Sequence, residues 1–327
     1  MTPPPADSQD GPVHTDAVIV TLTANPSVDR TLEIPSLDRG EVVRATAARV
    51  HPGGKGVNVA RALVANGIHA RAVLPAGGRE GEQLLDLLSS RGVEVVPVPI
   101  AEPVRENVTV VEPDGTVTKL NAPGPMLSSS EVADIIRVTV EASRGADWVA
   151  LCGTLPPGAP DDLYAELVSE LHLIGVRVAV DTSGPALVEA IKARPDLVKP
   201  NAEELAEAVG APMRDLAAVT TGARNLLEGG VGQILVSLGK EGAVSVSDSL
   251  VLRAWTVPVI PRSTVGAGDA TLAGFLATKG SQSEALRTAV AWGAAAVKLP
   301  GTGMPGPADI NLDEVSVEDL EAGRVRA

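Results

Sequence analysis

Asp269 stands directly behind the turn Gly266-Ala267-Gly268, at the mouth of the apolar segment Ala270-Thr271-Leu272-Ala273-Gly274-Phe275-Leu276. Leu272, Phe275 and Leu276 recur at i, i+3 and i+4, the spacing of one buried helix face. The glycines free the backbone to turn its N–H groups outward, and a helix start adds partial positive charge, so this turn suits an anion. A carboxylate beside an anion hole is the equipment of phosphoryl transfer. The amides of Gly266, Ala267 and Gly268 would steady the moving group while Asp269 accepts the proton of the attacking hydroxyl. On local grounds alone Asp269 is equally a residue that caps a helix after a glycine turn.

Three further clusters have ligand-binding chemistry. In His51-Pro52-Gly53-Gly54-Lys55-Gly56-Val57-Asn58, glycines lead into a helix, so backbone can approach a polar ligand and Asn58 offers both a donor and an acceptor to sugar hydroxyls. The spacing is not that of a P-loop, and no G-x-G-x-x-G follows the first strand, which counts against a dinucleotide-binding dehydrogenase. Asp29, in Asn25-Pro26-Ser27-Val28-Asp29, lies just past that strand and is placed to accept bonds from sugar hydroxyls, or to act as an Asx-type turn residue. In Lys199-Pro200-Asn201-Ala202-Glu203-Glu204, Asn201 and Glu204 have capping-box spacing, which local pattern favours. The functional alternative sends both toward water-coordinated Mg²⁺ and nucleotide phosphates.

Positioning these groups requires a scaffold of alternating elements. Apolar runs at 17–23, 71–74, 148–152, 177–181, 197–199 and 233–237 read as strands, with helical patterns at 57–66, 80–91, 130–143, 161–174, 185–193 and 202–209 between them. Strand–helix alternation implies parallel pairing and a three-layer α/β/α core. Segments 31–50 and 95–120, rich in Val, Thr and charge and with a turn at Pro113-Asp114-Gly115, break the alternation and read as strands of a small sheet acting as a lid. Residues 1–16 are Pro-rich and polar without an apolar signal-peptide core, and read as a disordered tail; 311–327 read as a second tail.

Composition sets the frame. The 327 residues are 44% hydrophobic but only 2% aromatic, so Val, Leu, Ile and Ala must fill the core. No window approaches the ~18 apolar residues of a membrane span. Cys152 is the only cysteine, which excludes an internal disulfide and a Cys-based zinc site; together these features predict a cytoplasmic protein. The formal charge of −14 argues against a nucleic-acid surface, though not against a phosphorylated substrate held by a few focused cations.

Taken together, Gly53-Gly54-Lys55-Gly56-Val57-Asn58 and the 263–269 turn resemble the two signatures of the ribokinase-like (PfkB) carbohydrate kinases. Lys199-Pro200-Asn201-x-x-Glu204 is similar to that family's N-x-x-E element, and Ser237-Leu238-Gly239-Lys240-Glu241-Gly242-Ala243 to its nucleotide-binding strand-turn. The four motifs run in family order over roughly 17–310. The resemblance implies an α/β/α core, a small β-sheet lid that often mediates dimerisation, and Mg²⁺-assisted transfer from ATP to a sugar hydroxyl. It implies a homodimer through the lid. It also implies nucleotide contacts by Lys199, Asn201, Glu204, Ser237, Gly239, Gly242 and Gly268, with Asn201 and Glu204 serving Mg²⁺. Asp29, Gly53, Gly54, Lys55 and Asn58 would hold the sugar.

The finer pattern is similar to the bacterial 1-phosphofructokinase branch: Thr23-x-Asn25-Pro26-Ser27-x-Asp29, Arg39-Gly40-Glu41-Val42, Gly153-Thr154-Leu155-Pro156-Pro157-Gly158, and Val104-Arg105-Glu106-Asn107-Val108, where Val104 replaces the branch's usual Thr. This implies phosphorylation of fructose 1-phosphate at O6, with Arg105 reaching from the lid to the phosphate already present; a solvated lid arginine is the plainer alternative. Tagatose-6-phosphate kinase and 6-phosphofructokinase are the neighbouring activities. A non-catalytic sugar-phosphate sensor on the same scaffold is the alternative of another class, though a sensor has no need of a base at Asp269.

Overall fold

A computed structural model describes residues 17–322. Segment 1–16, expected as a tail, lies outside the described residues, as does 323–327. The chain runs β1 (Val18–Thr23), β2 (Ser27–Glu33), β3 (Ala47–Gly53), α1 (Lys55–Ala65), β4 (His69–Ala76), α2 (Gly78–Ser89), β5 (Glu94–Pro99), β6 (Arg105–Val111), β7 (Val117–Asn121) and α3 (Ser129–Ala142). It continues through β8 (Trp148–Cys152), α4 (Leu163–Leu173), β9 (Arg177–Asp181), α5 (Gly184–Lys192), β10 (Leu197–Val198), α6 (Ala202–Val209), α7 (Leu216–Glu228) and β11 (Ile234–Ser237). It closes with β12 (Ala243–Val246), β13 (Val251–Thr256), α8 (Ala267–Leu276), α9 (Gln282–Val297) and β14 (Val315–Asp319).

A ten-stranded sheet, in the order β14-β13-β12-β11-β10-β9-β8-β1-β4-β5, forms the middle layer. From β11 to β5 all neighbours are parallel; β12, β13 and β14 extend the other edge antiparallel. The central strands bury both faces, and β8 shows how. Val149 and Leu151 join the core beneath α3, α4 and α5, whereas Ala150 and Cys152 join the core beneath α1, α2, α8 and α9. The smaller residues lie on the side where α8 and α9 press together, and there Gly274 admits the backbone of Thr288 and the ring of Trp292. A third cluster, with Leu205, Val219, Ala223 and Ile234, seats α6 and α7. Few aromatics are needed: Trp292 and Tyr164 are the large rings that are fully buried.

The small sheet has the order β3-β2-β6-β7. It is built from less of the expected segments than their composition implied. β5 pairs parallel with β4 in the large sheet, because it returns from the α2 crossover, so within 95–120 only β6 and β7 belong to the small sheet. β2 starts at Ser27 and β3 ends at Gly53, so this sheet grows directly out of the β1 exit and feeds directly into the glycine turn before α1. The expected tail at 311–327 is also corrected. Within it Val315–Asp319 pairs with β13, and Val315 is buried against the core.

Candidate active site

The groups singled out above converge at the carboxyl ends of the parallel strands, where open α/β sheets bind ligands. Gly266, at φ 83°, is the residue before α8, and no side chain caps that helix. Its first-turn amides are therefore left for an anion. Asp269 lies in that first turn and is 7% exposed. Its Oδ2 accepts from Asn58 Nδ2 at 2.9 Å, which brings the front and rear glycine turns onto one carboxylate. Burial and, after it, the Asp181 charge push the Asp269 carboxyl up to about 6, against the pull of Asn58, Lys55 and Lys199. Such a value suits a general base at neutral pH.

Asp181 is the residue that sequence reading missed. It ends β9, is 1% exposed, and receives Lys55 Nζ at 2.8 Å and Lys199 Nζ at 2.9 Å. Burial pushes its carboxyl up, but the Lys199 and Lys55 ammonium groups outweigh that and hold it below the usual range. The same contact raises Lys55: burial lowers it, and Asp181 with Glu204 more than reverses the effect. A signal was present, since Asp181 closes the strand Val178-Ala179-Val180 and is followed by Thr182-Ser183-Gly184, an acid at the carboxyl end of a core strand. Lys55, expected with the sugar, spans Asp181 and Glu204, the latter at 3.5 Å. Lys199 lies beside the anion turn: a Cβ built on Gly268 would stand 3.6 Å from its Nζ.

The capping-box reading of Asn201 and Glu204 is realised. Asn201 Oδ1 accepts from the amides of Glu203 and Glu204, both at 2.8 Å, while Glu204 Oε2 accepts from the Asn201 amide at 2.8 Å. Glu204 Oε1 keeps only its longer contact with Lys55. Asn201, Ser237, Leu238, Gly239 and Arg253 line a cleft of about 480 Å³. Gly242, also expected with the nucleotide, packs against β13: a Cβ there would strike the Ala254 carbonyl. Among the described residues, no three His, Cys, Asp or Glu side chains gather as a metal cage.

In the small sheet, Asp29 Oδ1 accepts from Ser27 Oγ at 2.7 Å and from Asn107 Nδ2 at 3.0 Å. Asn107 in turn accepts from the Ala122 amide at 3.2 Å, so its amide is fixed with the NH₂ toward Asp29. Gly53 underlies this group, because a Cβ there would meet Asp29 and Ser27. Gly54, at φ 120°, opens α1. Arg105, at the start of β6, gives Nη1 to the Ala122 carbonyl and Nη2 to the Asn25 carbonyl, both at 2.9 Å. It is half-buried at the hinge of the small sheet rather than at its solvated edge. Cys152 is buried, and burial pushes its thiol well above the usual range, away from the thiolate form.

An acid poised in an uncapped helix start, two lysines on one buried carboxylate and a set of sugar-type acceptors define a phosphotransferase site on an α/β/α fold. Comparison with known proteins agrees. The sequence profile described as "pfkB family carbohydrate kinase" matches residues 15–309. A 1-phosphofructokinase of Rhodobacter capsulatus is 39% identical over 295 residues, 88% of this chain and 93% of that protein. ATP-dependent 6-phosphofructokinase isozyme 2 of Escherichia coli (strain K12) is 36% identical over 290 residues, 87% of this chain and 94% of that protein. The crystal structure of phosphofructokinase-2 from Escherichia coli in complex with potassium superposes with a TM-score of 0.85 at 34% identity, covering 90% of this chain and 96% of that one. The chain belongs to the pfkB family of carbohydrate kinases and is an ATP-dependent enzyme of that family.

Proposed function

We propose that this kinase phosphorylates fructose 1-phosphate at O6 to give fructose 1,6-bisphosphate, a reading supported by the similarity to the Rhodobacter capsulatus protein named 1-phosphofructokinase. The observation that carries the reading is the buried Asp269 carboxylate, held by Asn58 inside an uncapped helix start. Asp269 takes the proton of the 6-hydroxyl as that oxygen attacks the γ-phosphorus in line. The amides of Gly266, Ala267, Gly268 and Asp269 donate to the equatorial phosphoryl oxygens, and Lys199 and Lys55 bring charge to the same side. Asp29, with Asn107 behind it, Gly54 and Asn58 orient the sugar. Arg105 turns its remaining N–H groups toward the 1-phosphate.

ATP lies along Lys199, Asn201, Ser237 and Gly239, with the cleft beside Arg253 open to its nucleoside part. Magnesium, when bound with the nucleotide, neutralises phosphate charge. Glu204 Oε1, engaged only at 3.5 Å, fits it through water, since this ion keeps much of its hydration. Asn201 fits less well than expected, because its oxygen is committed to the helix cap. No helix among the described residues is long and apolar enough to cross a membrane, and we place the enzyme in the cytoplasm. The small sheet exposes Val117 and Leu120 on β7, which supports its service as a lid and as a homodimer contact.

The test is ADP release with Mg-ATP and, in parallel, fructose 1-phosphate, fructose 6-phosphate, tagatose 6-phosphate and fructose. A kcat/KM for fructose 1-phosphate at least about tenfold above the rest supports the assignment. Preference for a 6-phosphate transfers it to 6-phosphofructokinase or tagatose-6-phosphate kinase, the former favoured by the 36% identity to the Escherichia coli isozyme. No turnover with any acceptor would point to a sugar-phosphate sensor.

A further inference from the structure

The Asn58 amide, which meets Asp269, is itself held from behind. Arg61 lies one turn further along α1 and is 8% exposed, unusual for an arginine that has no carboxylate in ion-pair contact among the described residues. Its Nη1 donates to Asn58 Oδ1 at 3.0 Å and its Nη2 to the Thr302 carbonyl at 2.9 Å. The Thr302 loop follows α9 and continues to Met304, whose methyl end lies under Gly266 of the anion turn. A guanidinium has donors only, so the atom of Asn58 that it touches must be the oxygen. The NH₂ must then point the other way, to Asp269.

We propose that Arg61 is a positioning residue for the general base: by locking the Asn58 amide between its own guanidinium and Asp269, it fixes which carboxylate oxygen is occupied and leaves the other for the substrate hydroxyl. The proposal rests on the reading of Asp269 as the base. Without Arg61 the amide is free to rotate by half a turn and set its carbonyl against the Asp269 carboxylate. That arrangement repels the ionised form and withdraws the base at neutral pH. The fork of Arg61 also ties α1 to the Thr302 loop, and one arm alone would not hold both ends.

The charges that bear on Asp269 come from three other places: Asp181 at the end of β9, Lys55 at the start of α1 and Lys199 after β10. Those bearing on Arg61 are Arg91 after α2 and Asp29 on β2, together with Asp269 itself. His51 on β3 also lies within the field of Arg61. Burial lowers the Arg61 guanidinium to about 10, which still leaves it charged over the working range. The effect of Arg61 on the base therefore has two possible routes, through Asn58 or through space, and the test separates them.

The experiment is a double-mutant cycle of R61M and N58A, read by the Asp269 titration midpoint in carboxyl-detected ¹³C NMR, with Asp269→Asn to assign the resonance. The expected result is an upward shift of at least about half a pH unit in R61M, a comparable shift in N58A, and no further shift in the double variant. In parallel, the acidic limb of the R61M pH–rate profile should move up by the same amount, a loss of at least about twofold at about pH 6, with the KM for ATP unchanged within about twofold. If R61M does not fold, R61Q carries the same cycle. Additive shifts would assign Arg61 to a through-space charge effect and overturn the proposal, and so would an unchanged midpoint in the folded variant. Because the titration needs no substrate, it stands even if none of the sugar phosphates is turned over, which would sink the proposed function separately.

Discussion

Asn58 Nδ2 lies 2.9 Å from Asp269 Oδ2, across 211 residues of sequence, and this bond joins the sugar-side turn to the anion-side turn. The carboxylate it touches has a value of about 6, because burial and Asp181 outweigh Asn58, Lys55 and Lys199. A base must be ionised to act. We therefore expect kcat/KM for the sugar phosphate to fall tenfold per unit below about pH 6, and to level off above it toward pH 8. A pH profile of kcat/KM at subsaturating sugar phosphate checks this, and an acidic limb near pH 4 would mean that Asp269 is not the titrating group.

Asp269→Asn should cost at least about 10²-fold in kcat while both substrates still bind, since the side chain keeps its shape and loses its basicity. It should also stabilise the fold. A carboxyl whose folded value exceeds its unfolded one penalises the folded state, fully above about 6 and not at all below the unfolded value near 4. The amide removes that penalty, so the variant should be more stable than the parent at pH 8, by up to about 3 kcal/mol, with the gap closing by about pH 4. Thermal melts at the two pH values measure it. Near-normal turnover with equal stability would remove Asp269 from the mechanism.

Asp181→Asn makes the opposite prediction for stability. Two ammonium groups, one of them on the almost fully buried Lys199, would lose their shared partner, a change that costs about 3–5 kcal/mol in buried pairs. Asp181 lies below the usual carboxylate range, so the parent's advantage is present above about pH 4 and disappears as pH falls through the folded value. Denaturant melts should show a large difference between parent and variant at pH 7.5, still present at pH 4, that shrinks only as the pH is taken well below 4. The KM for ATP should rise as Lys55 and Lys199 lose their anchor. A variant as stable as the parent at pH 7.5 would show that the two lysines find compensation elsewhere.

Arg105→Ala should raise the KM for the sugar phosphate at least about tenfold and leave that for ATP within about twofold, the loss expected for one charge-assisted contact. Some loss of stability should accompany it, because the guanidinium also holds the carbonyls of Asn25 and Ala122 together. Comparing fructose 1-phosphate with fructose isolates the phosphate contact. An equal effect on both acceptors would leave Arg105 as a hinge brace only.

Most of the scaffold was legible because its core strands are continuous apolar runs: Trp148–Cys152 and Arg177–Asp181 are found where their sequence says, and Ala202–Val209 likewise. α7 was not, since Thr220-Thr221-Gly222 weakens its helical pattern locally and only the packing of Val219, Ala223 and Leu226 decides it. β12, β13 and β14 add antiparallel strands at one edge, whose partners come from long range, and β5 is told from a lid strand only by its return beside β4. At the site, motif residues marked the two turns, but spacing could not show that Lys55 leans on Asp181. Nor could it show Arg61 behind Asn58. Those are contacts between segments far apart in sequence or along a helix face, where only the fold chooses the partner.

Gly53 offers the sharpest steric test. It lies outside the left-handed region of backbone space, so an alanine there meets no backbone strain, and the whole effect must come from its methyl group. That methyl would occupy the space of the Asp29 carboxylate and the Ser27 hydroxyl, the two groups joined at 2.7 Å. Asp29 must then swing away from Asn107 or push β3 outward. Gly53→Ala should therefore raise the KM for the sugar phosphate by about an order of magnitude, with kcat reduced less and the KM for ATP unchanged. Asp29→Ala should produce a similar loss, and the two together should add little, because both remove the same acceptor. Fully additive effects would mean that Gly53 governs the orientation of α1 and the anion turn rather than the grip on the sugar.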